Sequence, residues 1–400
     1  MKILVFASYI YEAGHPEFER NQTGFGMMVR DICSYVGKTE EVFLYTHAVT
    51  NGFCSENFTV LPHRKSDFLR HLFAVPLAIA FALRQKGASL KNRIRYVYYA
   101  WSCSGFYSAW KKVQPDLVHI HGGVVATLPI VQCCRKHGIP YVVTLHGKIC
   151  DLSHVSGEDK VAERDVFANS PYVTVIASGI KNHLCKITGR KPDGVFVVGN
   201  GTSVASEPPD GENIRKKYGI GSEQKIVLSV GNISPWKNQV QTVRSLSMLP
   251  EDIKKETVFL VIGNLVDEKF ADTVKKLNFE NFIRFVGFVP RKCLRNYYYQ
   301  ADCVVLASTE EGFGLSLIEG FAEGTPGVFF SDIDAAEELK NPDCCVCRED
   351  RSDEALRDAI EEVVKKDWDP EKIRGWAQRF SLEAMAENYI RVYKSVLCNN

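Results

Sequence analysis

Short apolar runs alternate with longer amphipathic stretches along the whole chain. In the first half, the runs that predict strands occupy residues 3–7, 42–46, 116–121, 141–145, 172–177 and 195–198. They are short, rich in β-branched residues and continuous in their hydrophobicity, which is typical of parallel strands buried on both faces. The stretches between them have helical spacing, as at 27–36. The first half is therefore predicted to be a parallel sheet covered by helices.

A polar, turn-rich segment at 206–211 interrupts this alternation, and a second series of strands then begins. The second series occupies residues 225–230, 257–262, 282–286, 303–307 and 327–330. The last segment, 382–397, has the pattern of an amphipathic helix with Ser381 as its N-cap. We therefore expect an α/β protein of two Rossmann-like domains, 1–205 and 206–380, followed by a helix over 381–400.

Composition and charge agree with an ordinary globular protein. The chain has 400 residues, of which 45% are hydrophobic and 24% charged, enough for two cores. The 49 basic and 48 acidic side chains nearly cancel, so nothing suggests a nucleic-acid partner. The N-terminus enters a strand directly, and the apolar stretch 72–83 is too short to span a bilayer. These features predict a cytoplasmic location.

The 13 cysteines have no paired C-x-x-C spacing. Free, reduced thiols are the expected state in a long chain without a secretory signal. A metal site at Cys344, Cys345 and Cys347 was considered, but no histidine or further cysteine stands at a zinc-site spacing from them. We therefore predict no metal site.

The strongest candidate for chemistry is the segment from Glu311 to Glu319, which follows the strand 303–307. Gly312 and Gly314 allow a ligand to approach the backbone closely, and Leu315 can open a helix whose N–H groups favour an anion. Glu311 in the loop and Glu319, about two turns into the helix, could hold hydroxyl groups of a sugar and a ribose. The alternative is a glycine-rich loop with two surface glutamates.

Lys237 ends a second candidate segment that starts at Gly231, directly after the strand 225–230. At the start of the next helix, its ammonium group could neutralise a diphosphate. The alternative is a solvated lysine without a special role.

Two weaker candidates lie at strand ends in the first half of the chain. His146 follows the strand 141–145, and a His-x-His segment at 119–121 ends the preceding one. His146 could bond a sugar hydroxyl, or it could be an ordinary packed histidine. Gly24 and Gly26 follow the first strand but lack the full dinucleotide-binding fingerprint, so they could equally form a tight turn.

Taken together, these segments resemble the GT-B glycosyltransferases of family GT4. The matching segments, in chain order, are the glycine pair at 24–26, His146-Gly147, Asn200-Gly201, 231–237, 285–289, 311–326 and the final helix with Tyr389 and Tyr393. The resemblance covers nearly the whole chain and is looser between about residues 50 and 115. It implies two Rossmann-like domains facing across a cleft, with the N-terminal one binding the acceptor and the C-terminal one the nucleotide-sugar. It also implies that the last helix returns to the N-terminal domain.

The resemblance implies a role for each matching residue. Glu311 would contact hydroxyls of the transferred sugar, Glu319 would hold the ribose, and Lys237 would bind the diphosphate. His146 would lie near the donor sugar. Further donor contacts are implied for two sets of residues that contribute mostly backbone: Gly24 and Gly26, and Gly312, Phe313, Gly314 and Leu315.

One position departs from the family pattern. The family usually has an arginine five residues before the lysine, where this chain has Asn232. Either the donor site has lost one positive charge, or another cation such as Lys148 or Arg291 replaces it.

The resemblance also implies a retaining reaction that needs no metal or other cofactor. Its partners would be a UDP- or GDP-sugar and a glycan or lipid-linked acceptor, as in polysaccharide assembly. Two alternatives stay open: another GT-B activity, such as a sugar phosphorylase or an epimerase, and a degenerate protein that binds a nucleotide-sugar without turnover.

The stretch from His63 to Lys112 could bring the protein to a membrane surface. Basic and aromatic residues interleave there: Arg64, Lys65, Phe68, Arg70, Phe73, Arg84, Lys86, Lys91, Arg93, Arg95, Tyr96, Tyr98, Tyr99 and Trp101. Such residues beside a short apolar helix can dock on anionic lipid. The alternative is a helix whose apolar face belongs to the core.

Overall fold

The computed structural model describes residues 1–19, 23–85, 89–148 and 157–399. The chain divides into two compact units. Unit 1 consists of Met1–Gly199 together with Met385–Asn400, and unit 2 consists of Asn200–Ala384. Each unit is built around its own sheet.

Unit 1 contains an eight-stranded sheet. Its strands are β1 (Lys2–Ala7), β2 (Glu41–Thr46), β3 (Phe53–Cys54), β4 (Phe58–Val60), β5 (Leu117–His121), β6 (Tyr141–Leu145), β7 (Val173–Val175) and β8 (Val195–Val197). The order is β3-β4-β2-β1-β5-β6-β7-β8, and only the pairing of β3 with β4 is antiparallel. The helices of this part are α1 (Pro16–Glu19), α2 (Gly24–Val36), α3 (Lys65–Arg70), α4 (Val75–Arg84), α5 (Leu90–Val113), α6 (Val124–His137), α7 (Gly157–Asn169) and α8 (Ser178–Thr188).

Unit 2 contains a six-stranded parallel sheet. Its strands are β9 (Lys225–Val230), β10 (Thr257–Ile262), β11 (Ile283–Gly287), β12 (Cys303–Leu306), β13 (Gly327–Phe330) and β14 (Cys345–Arg348). The helices are α9 (Ile214–Tyr218), α10 (Gln239–Ser247), α11 (Glu251–Lys255), α12 (Glu268–Lys276), α13 (Arg291–Gln300), α14 (Leu315–Ala322), α15 (Ala336–Leu339), α16 (Asp353–Lys365) and α17 (Pro370–Ala377). The order β11-β10-β9-β12-β13-β14 is that of a Rossmann sheet, with the order reversing beside β9.

The final helix, α18 (Leu382–Cys398), begins at the predicted cap. The Ser381 hydroxyl accepts a hydrogen bond from the Ala384 N–H at 3.1 Å, which satisfies one of the free donors of the first turn. Its later residues belong to unit 1, where the Tyr393 hydroxyl lies 2.7 Å from Nδ1 of His119. Short 3₁₀ turns occur at Leu72–Ala74, Glu280–Phe282 and Gln378–Phe380.

The predicted α/β class with two parallel sheets is confirmed, but some elements differ from the prediction. Helix α2 starts three residues earlier than expected because the Thr23 hydroxyl accepts the Gly26 N–H at 3.1 Å and caps it. Strands β3, β4 and β14 were not predicted. Cys345 and Cys347 lie on β14, and over the described residues no group of three or more His, Cys, Asp or Glu side chains could hold a metal ion.

No helix in the described ranges combines the length and the apolar character needed to cross a membrane.

Candidate active site

Glu311 lies in the loop after β12, and its carboxylate is held at the start of α14. One oxygen, Oε1, accepts the Gly314 N–H at 3.1 Å, and the other accepts the Ser308 hydroxyl at 3.3 Å. Gly314 has a φ of 86°, in the left-handed region that favours glycine. The Gly314 amide, predicted to be open to a ligand, is therefore already bonded to Glu311. The N–H groups at the start of α14 still have no acceptor within the helix itself.

Lys237 and Glu311, predicted from separate segments, form one ion pair. The Lys237 ammonium lies 2.5 Å from Oε2 of Glu311, and both side chains are largely buried. Gly231 lies beside the lysine stem, since a Cβ there would be 3.6 Å from Cε of Lys237, an ordinary contact distance; its φ of 140° is what favours glycine. The sheet thus brings a cation and an anion together where β9 and β12 end.

Phe313 was predicted as a donor contact, but its side chain is buried and packs edge-on to Phe380 with ring centroids 6.1 Å apart. Only the backbone of Phe313 could therefore contact a ligand. Gly312, directly before it, and Leu315, two residues after it, are both partly exposed.

Asn232 ties two loops of unit 2 together. Its Oδ1 accepts the Asn264 N–H at 3.3 Å, which joins the loop after β9 to the loop after β10. These loops touch closely, since a Cβ on Gly263 would lie 2.1 Å from the Gly231 carbonyl oxygen. An asparagine therefore has a structural use at this position.

Of the two cations considered as replacements for the usual arginine, Arg291 lies in unit 2 and contacts a site residue. Its Nε is 3.8 Å from a carboxylate oxygen of Glu319. Lys148 is exposed and belongs to unit 1. Arg351, which sequence reasoning missed, donates to the Ser308 carbonyl at 2.8 Å and to the Asp332 carboxylate. It thus braces the loop that leads to Glu311.

Glu319 lies on α14, about one turn from the start of the helix and not two as predicted, because the helix begins at Leu315. The Tyr298 hydroxyl donates to Oε2 of Glu319 at 2.7 Å. Burial raises the pKa of Glu319, while the charge of Arg291 and the hydrogen bond from Tyr298 oppose that rise. The carboxylate is therefore fixed in direction before any ligand arrives.

In unit 1, His146 is the outer end of a row of three hydrogen-bonded imidazoles, which we call the histidine chain. Its Nε2 lies 2.9 Å from Nδ1 of His121, whose own Nε2 lies 3.2 Å from Nδ1 of His119. The inner end is closed by Tyr393, 2.7 Å from Nδ1 of His119, and by the Thr144 hydroxyl, 2.6 Å from Nε2 of His119. His119 and His121 are fully buried.

The glycine pair lies close to His146. Gly24 and Gly26 form the first turn of α2, and the Gly26 carbonyl accepts the Tyr11 N–H at 3.1 Å. Phe25 between them meets the His146 ring edge-on, with centroids 5.1 Å apart. The structure therefore brings Gly24, Gly26 and His146 close together through Phe25.

Burial keeps five histidines of unit 1 neutral. Burial lowers the pKa of His146 to about 4 and that of His47 to about 3, with His63 adding to the second shift. Burial also lowers the pKa of His63, and it lowers those of His119 and His121 further, helped by repulsion from neighbouring histidines. Neutral imidazoles can each donate one hydrogen bond and accept one.

We expect the free energy of unfolding to fall as pH decreases from about 6.5 towards 4. The unfolded chain takes up protons on these histidines near pH 6.5, whereas the folded chain accepts them only at lower pH, so stability is present above that pH and is lost below it. Each histidine contributes up to about 1.4 kcal/mol per pH unit. Urea unfolding at pH 7.5, 6.0 and 5.0 measures the loss. The variant His137→Asn, at an exposed histidine, should show the same dependence of the unfolding free energy on pH. An unfolding free energy that does not change with pH would contradict the burial of neutral histidines.

The stretch 65–113 exposes large apolar side chains, and we call it the basic apolar surface. The fully or largely exposed ones are Leu69, Leu72, Phe73, Leu77, Leu83, Leu90 and Ile94, with Phe73 and Leu77 each 73% exposed. Helix α4 buries only the small Ala78 and Ala82. One face of α4 therefore packs inside the unit, where Phe81 also meets the buried Tyr96, while Leu77 and Leu83 stay exposed. Lys86, one of the basic residues named above, lies outside the described residues.

Comparisons with known proteins show the family of the chain. The model described as Glycosyltransferase Family 4 matches residues 24–206, and the model described as Glycosyl transferases group 1 matches residues 210–379. An uncharacterised glycosyltransferase of Methanocaldococcus jannaschii is 26% identical over 307 residues, which is 70% of this chain and 75% of that protein. The D-inositol 3-phosphate glycosyltransferase of Corynebacterium aurimucosum is 24% identical over 312 residues, 72% of this chain and 73% of that protein.

Solved structures give the same fold. HepE of Anabaena, crystallised with UDP, has a TM-score of 0.70 at 17% identity, over 99% of this chain and 100% of that chain. The two family models together match most of the sequence, one for each Rossmann-like sheet. The chain therefore belongs to the family 4 glycosyltransferases and is a glycosyltransferase enzyme of the GT-B fold.

Proposed function

We propose that the enzyme moves a sugar from a nucleoside diphosphate sugar to a hydroxyl group with retention of configuration. The observation that carries this proposal is the Lys237–Glu311 ion pair beside the start of α14, with Glu319 on the same helix. These groups offer a cation for a diphosphate and carboxylates for sugar hydroxyls. In this proposal unit 2 binds the donor and unit 1 binds the acceptor.

Donor binding would exchange the partners of the ion pair. The Lys237 ammonium turns to the diphosphate, and the freed oxygen of Glu311 accepts hydroxyl groups of the transferred sugar. As the bond to the sugar breaks, Lys237 and the N-terminus of α14 stabilise the charge that develops on the leaving diphosphate. The leaving phosphate oxygen takes the proton of the incoming hydroxyl, which then bonds to the anomeric carbon from the same face.

The reaction should proceed without a metal ion. Within the described ranges no cluster of His, Cys, Asp or Glu side chains is suited to a cation, and the charge of Lys237 is available for the task that a metal performs in other transferases. We expect transfer to be unaffected by EDTA.

The donor is proposed to be a UDP- or GDP-sugar. The neighbouring HepE structure was crystallised with UDP, and another structure of it contains UDP-glucose. A thermal-shift and hydrolysis screen with UDP-, GDP- and ADP-sugars, with and without EDTA, tests the proposal. Stabilisation by one nucleotide series supports it. Dependence on free phosphate and none on nucleotide would favour a sugar phosphorylase instead.

A substitution at Asn232 tests whether the donor site is fully active or degenerate. Because Asn232 binds the loop after β10, we propose that the loss of the usual arginine is compensated and that Asn232→Arg gives no large gain in turnover. A large gain would mean that the natural site is weakened.

The acceptor is proposed to be lipid-linked, and the basic apolar surface is proposed to rest on an anionic membrane. Asp67 is the single acidic residue between positions 57 and 115, and it is paired with Arg70. The exposed leucines and Phe73 stand among the exposed Lys91 and Arg95. In a peripheral docking surface, apolar side chains enter the membrane–water interface and basic side chains lie at the lipid headgroups.

The variant with Leu72, Phe73, Leu77 and Leu83 all changed to serine should bind vesicles of phosphatidylcholine and phosphatidylglycerol about 100-fold more weakly, because each lost side chain removes buried apolar area. Co-sedimentation measures this binding. The matched control changes the exposed Leu265 and Val266 of unit 2 to serine and should bind as the natural chain does. Equal binding by the quadruple variant would contradict membrane docking.

A further inference from the structure

The hydrogen bonds of the histidine chain all run in one direction from donor to acceptor, and the Tyr393 hydroxyl sets that direction. A phenol is a stronger acid than a neutral imidazole N–H, and an imidazole nitrogen is a far stronger base than a phenol oxygen. At 2.7 Å, the Tyr393 hydroxyl therefore donates to Nδ1 of His119. With its lone pair at Nδ1, neutral His119 carries its proton on Nε2 and donates it to the Thr144 hydroxyl, 2.6 Å away.

The same direction passes to the next two rings. Nε2 of His121 lies 3.2 Å from the same Nδ1 of His119 and shares its lone pair with the Tyr393 hydroxyl. Nε2 of His121 must therefore carry a proton, because two facing lone pairs would repel. The Nδ1 of His121 is then an acceptor, and the proton between the outer two rings, 2.9 Å apart, lies on Nε2 of His146. The remaining nitrogen, Nδ1 of His146, is left with a lone pair, and it has no hydrogen-bond partner in the described part of the chain.

The inner end is enclosed. Around His119 the Thr144 hydroxyl bonds that of Thr174 at 2.5 Å, and the Tyr389 hydroxyl bonds both threonines. Tyr389 and Tyr393 are buried, as are the two threonines. Water cannot readily reach this end to supply a competing donor or acceptor.

We propose that Tyr393, His119 and His121 are positioning residues that hold His146 in the tautomer with its proton on Nε2, so that Nδ1 accepts a hydrogen bond from a substrate hydroxyl. The proposal rests on the proposed function only for the claim that a sugar lies at His146. It sets the chemistry of the contact: the group that meets Nδ1 is a hydroxyl donor, and an anionic phosphate oxygen would be repelled there.

The tautomers can be measured without any substrate. We would label the full chain with ¹⁵N-histidine and record long-range ¹H–¹⁵N spectra, assigning His146, His121 and His119 with single glutamine variants. All three should give the pattern of an Nε2–H imidazole. Tyr393→Phe removes the deciding donor and keeps the ring, so it should shift His146 partly to the other tautomer. An Nδ1–H pattern for His146 in the natural chain would overturn the proposal.

Turnover supplies the second measurement. His121→Leu should lower kcat about tenfold, the effect of one lost hydrogen bond in the transition state, with the KM for the donor little changed. His121→Gln should recover most of that loss, because its amide offers an acceptor to His146 and a donor to His119. Equal kcat for the leucine and glutamine variants, at equal melting temperatures, would contradict a positioning role. If the chain proved inactive with every donor, the spectra would still decide the tautomer.

Discussion

Replacing Lys237 by methionine should lower kcat by about 10³-fold. The methionine keeps the aliphatic stem beside Gly231 but removes the ammonium that, in the proposed mechanism, faces the leaving diphosphate. Removing one preorganised group that stabilises developing charge typically costs 10²- to 10³-fold, and the upper end applies to a full charge in a largely buried position, an effect of about 4 kcal/mol. Initial rates at saturating donor and acceptor measure the effect.

Two controls separate this effect from damage to the fold. The exposed Lys276 on α12 carries the same charge, and Lys276→Met should leave kcat unchanged. Lys237→Met leaves Glu311 with two hydrogen bonds, from Gly314 and Ser308, so its melting temperature should fall only modestly. A loss of less than tenfold in a folded Lys237→Met enzyme would refute the assignment of Lys237 to the diphosphate.

Replacing Glu319 by glutamine should weaken nucleotide binding about 10- to 100-fold. The glutamine keeps an acceptor for the Tyr298 hydroxyl but lacks the charge, and a hydrogen bond to a charged group contributes about 1.5–3 kcal/mol. In the proposed mode of binding, Glu319 holds the ribose equally before and during transfer, so kcat at saturating donor should change little. Calorimetric titration with UDP and GDP, beside steady-state kinetics, measures both quantities.

The matched variant is Tyr298→Phe, which removes the hydrogen bond that orients the carboxylate but keeps its charge. It should weaken binding by less than Glu319→Gln does. Unchanged affinity in Glu319→Gln, together with a lowered kcat, would place this carboxylate at the reaction centre and not at the ribose.

The strands were predictable where burial is complete on both faces. The bounds of β6, β9, β10 and β13 agree with those predicted from their uninterrupted apolar runs. Strands β3 and β4 have only two and three residues, too few for a pattern. Strand β14 lies at the edge of its sheet and mixes cysteine with arginine, so its composition did not indicate a strand.

The site was only partly predictable, because its contacts join segments that are far apart in the sequence. Local segments indicated Lys237, Glu311 and Glu319 singly, but the pairing of Lys237 with Glu311 depends on β9 and β12 being neighbours. The histidine chain depends on Tyr393, 274 positions away from His119 along the sequence. One signal was available: alternate residues of a strand share a face, so His119 and His121 could have been placed side by side.

The basic apolar surface shows a different limit of sequence reasoning. The spacing of apolar residues such as Leu72 and Leu77 indicates one apolar face. It does not show whether that face packs against a core or is exposed to solvent. The structure shows which side chains are covered: α4 packs through Ala78, Ala82 and Phe81, and it leaves Leu77, Ile79 and Leu83 exposed.

Because residues 385–400 complete unit 1, that unit cannot finish folding until those residues have been synthesised, after the whole of the second unit. Domains usually fold as they leave the ribosome, N-terminal first, but here the sheet of the first 199 residues must wait, through the whole translation of the second unit, for Tyr389 and Tyr393. In the meantime the face carrying His119 lacks its cover and is available to chaperones. A chain that stops just before residue 385 would therefore keep its second unit, residues 200–384, while its first unit would be open to proteolysis.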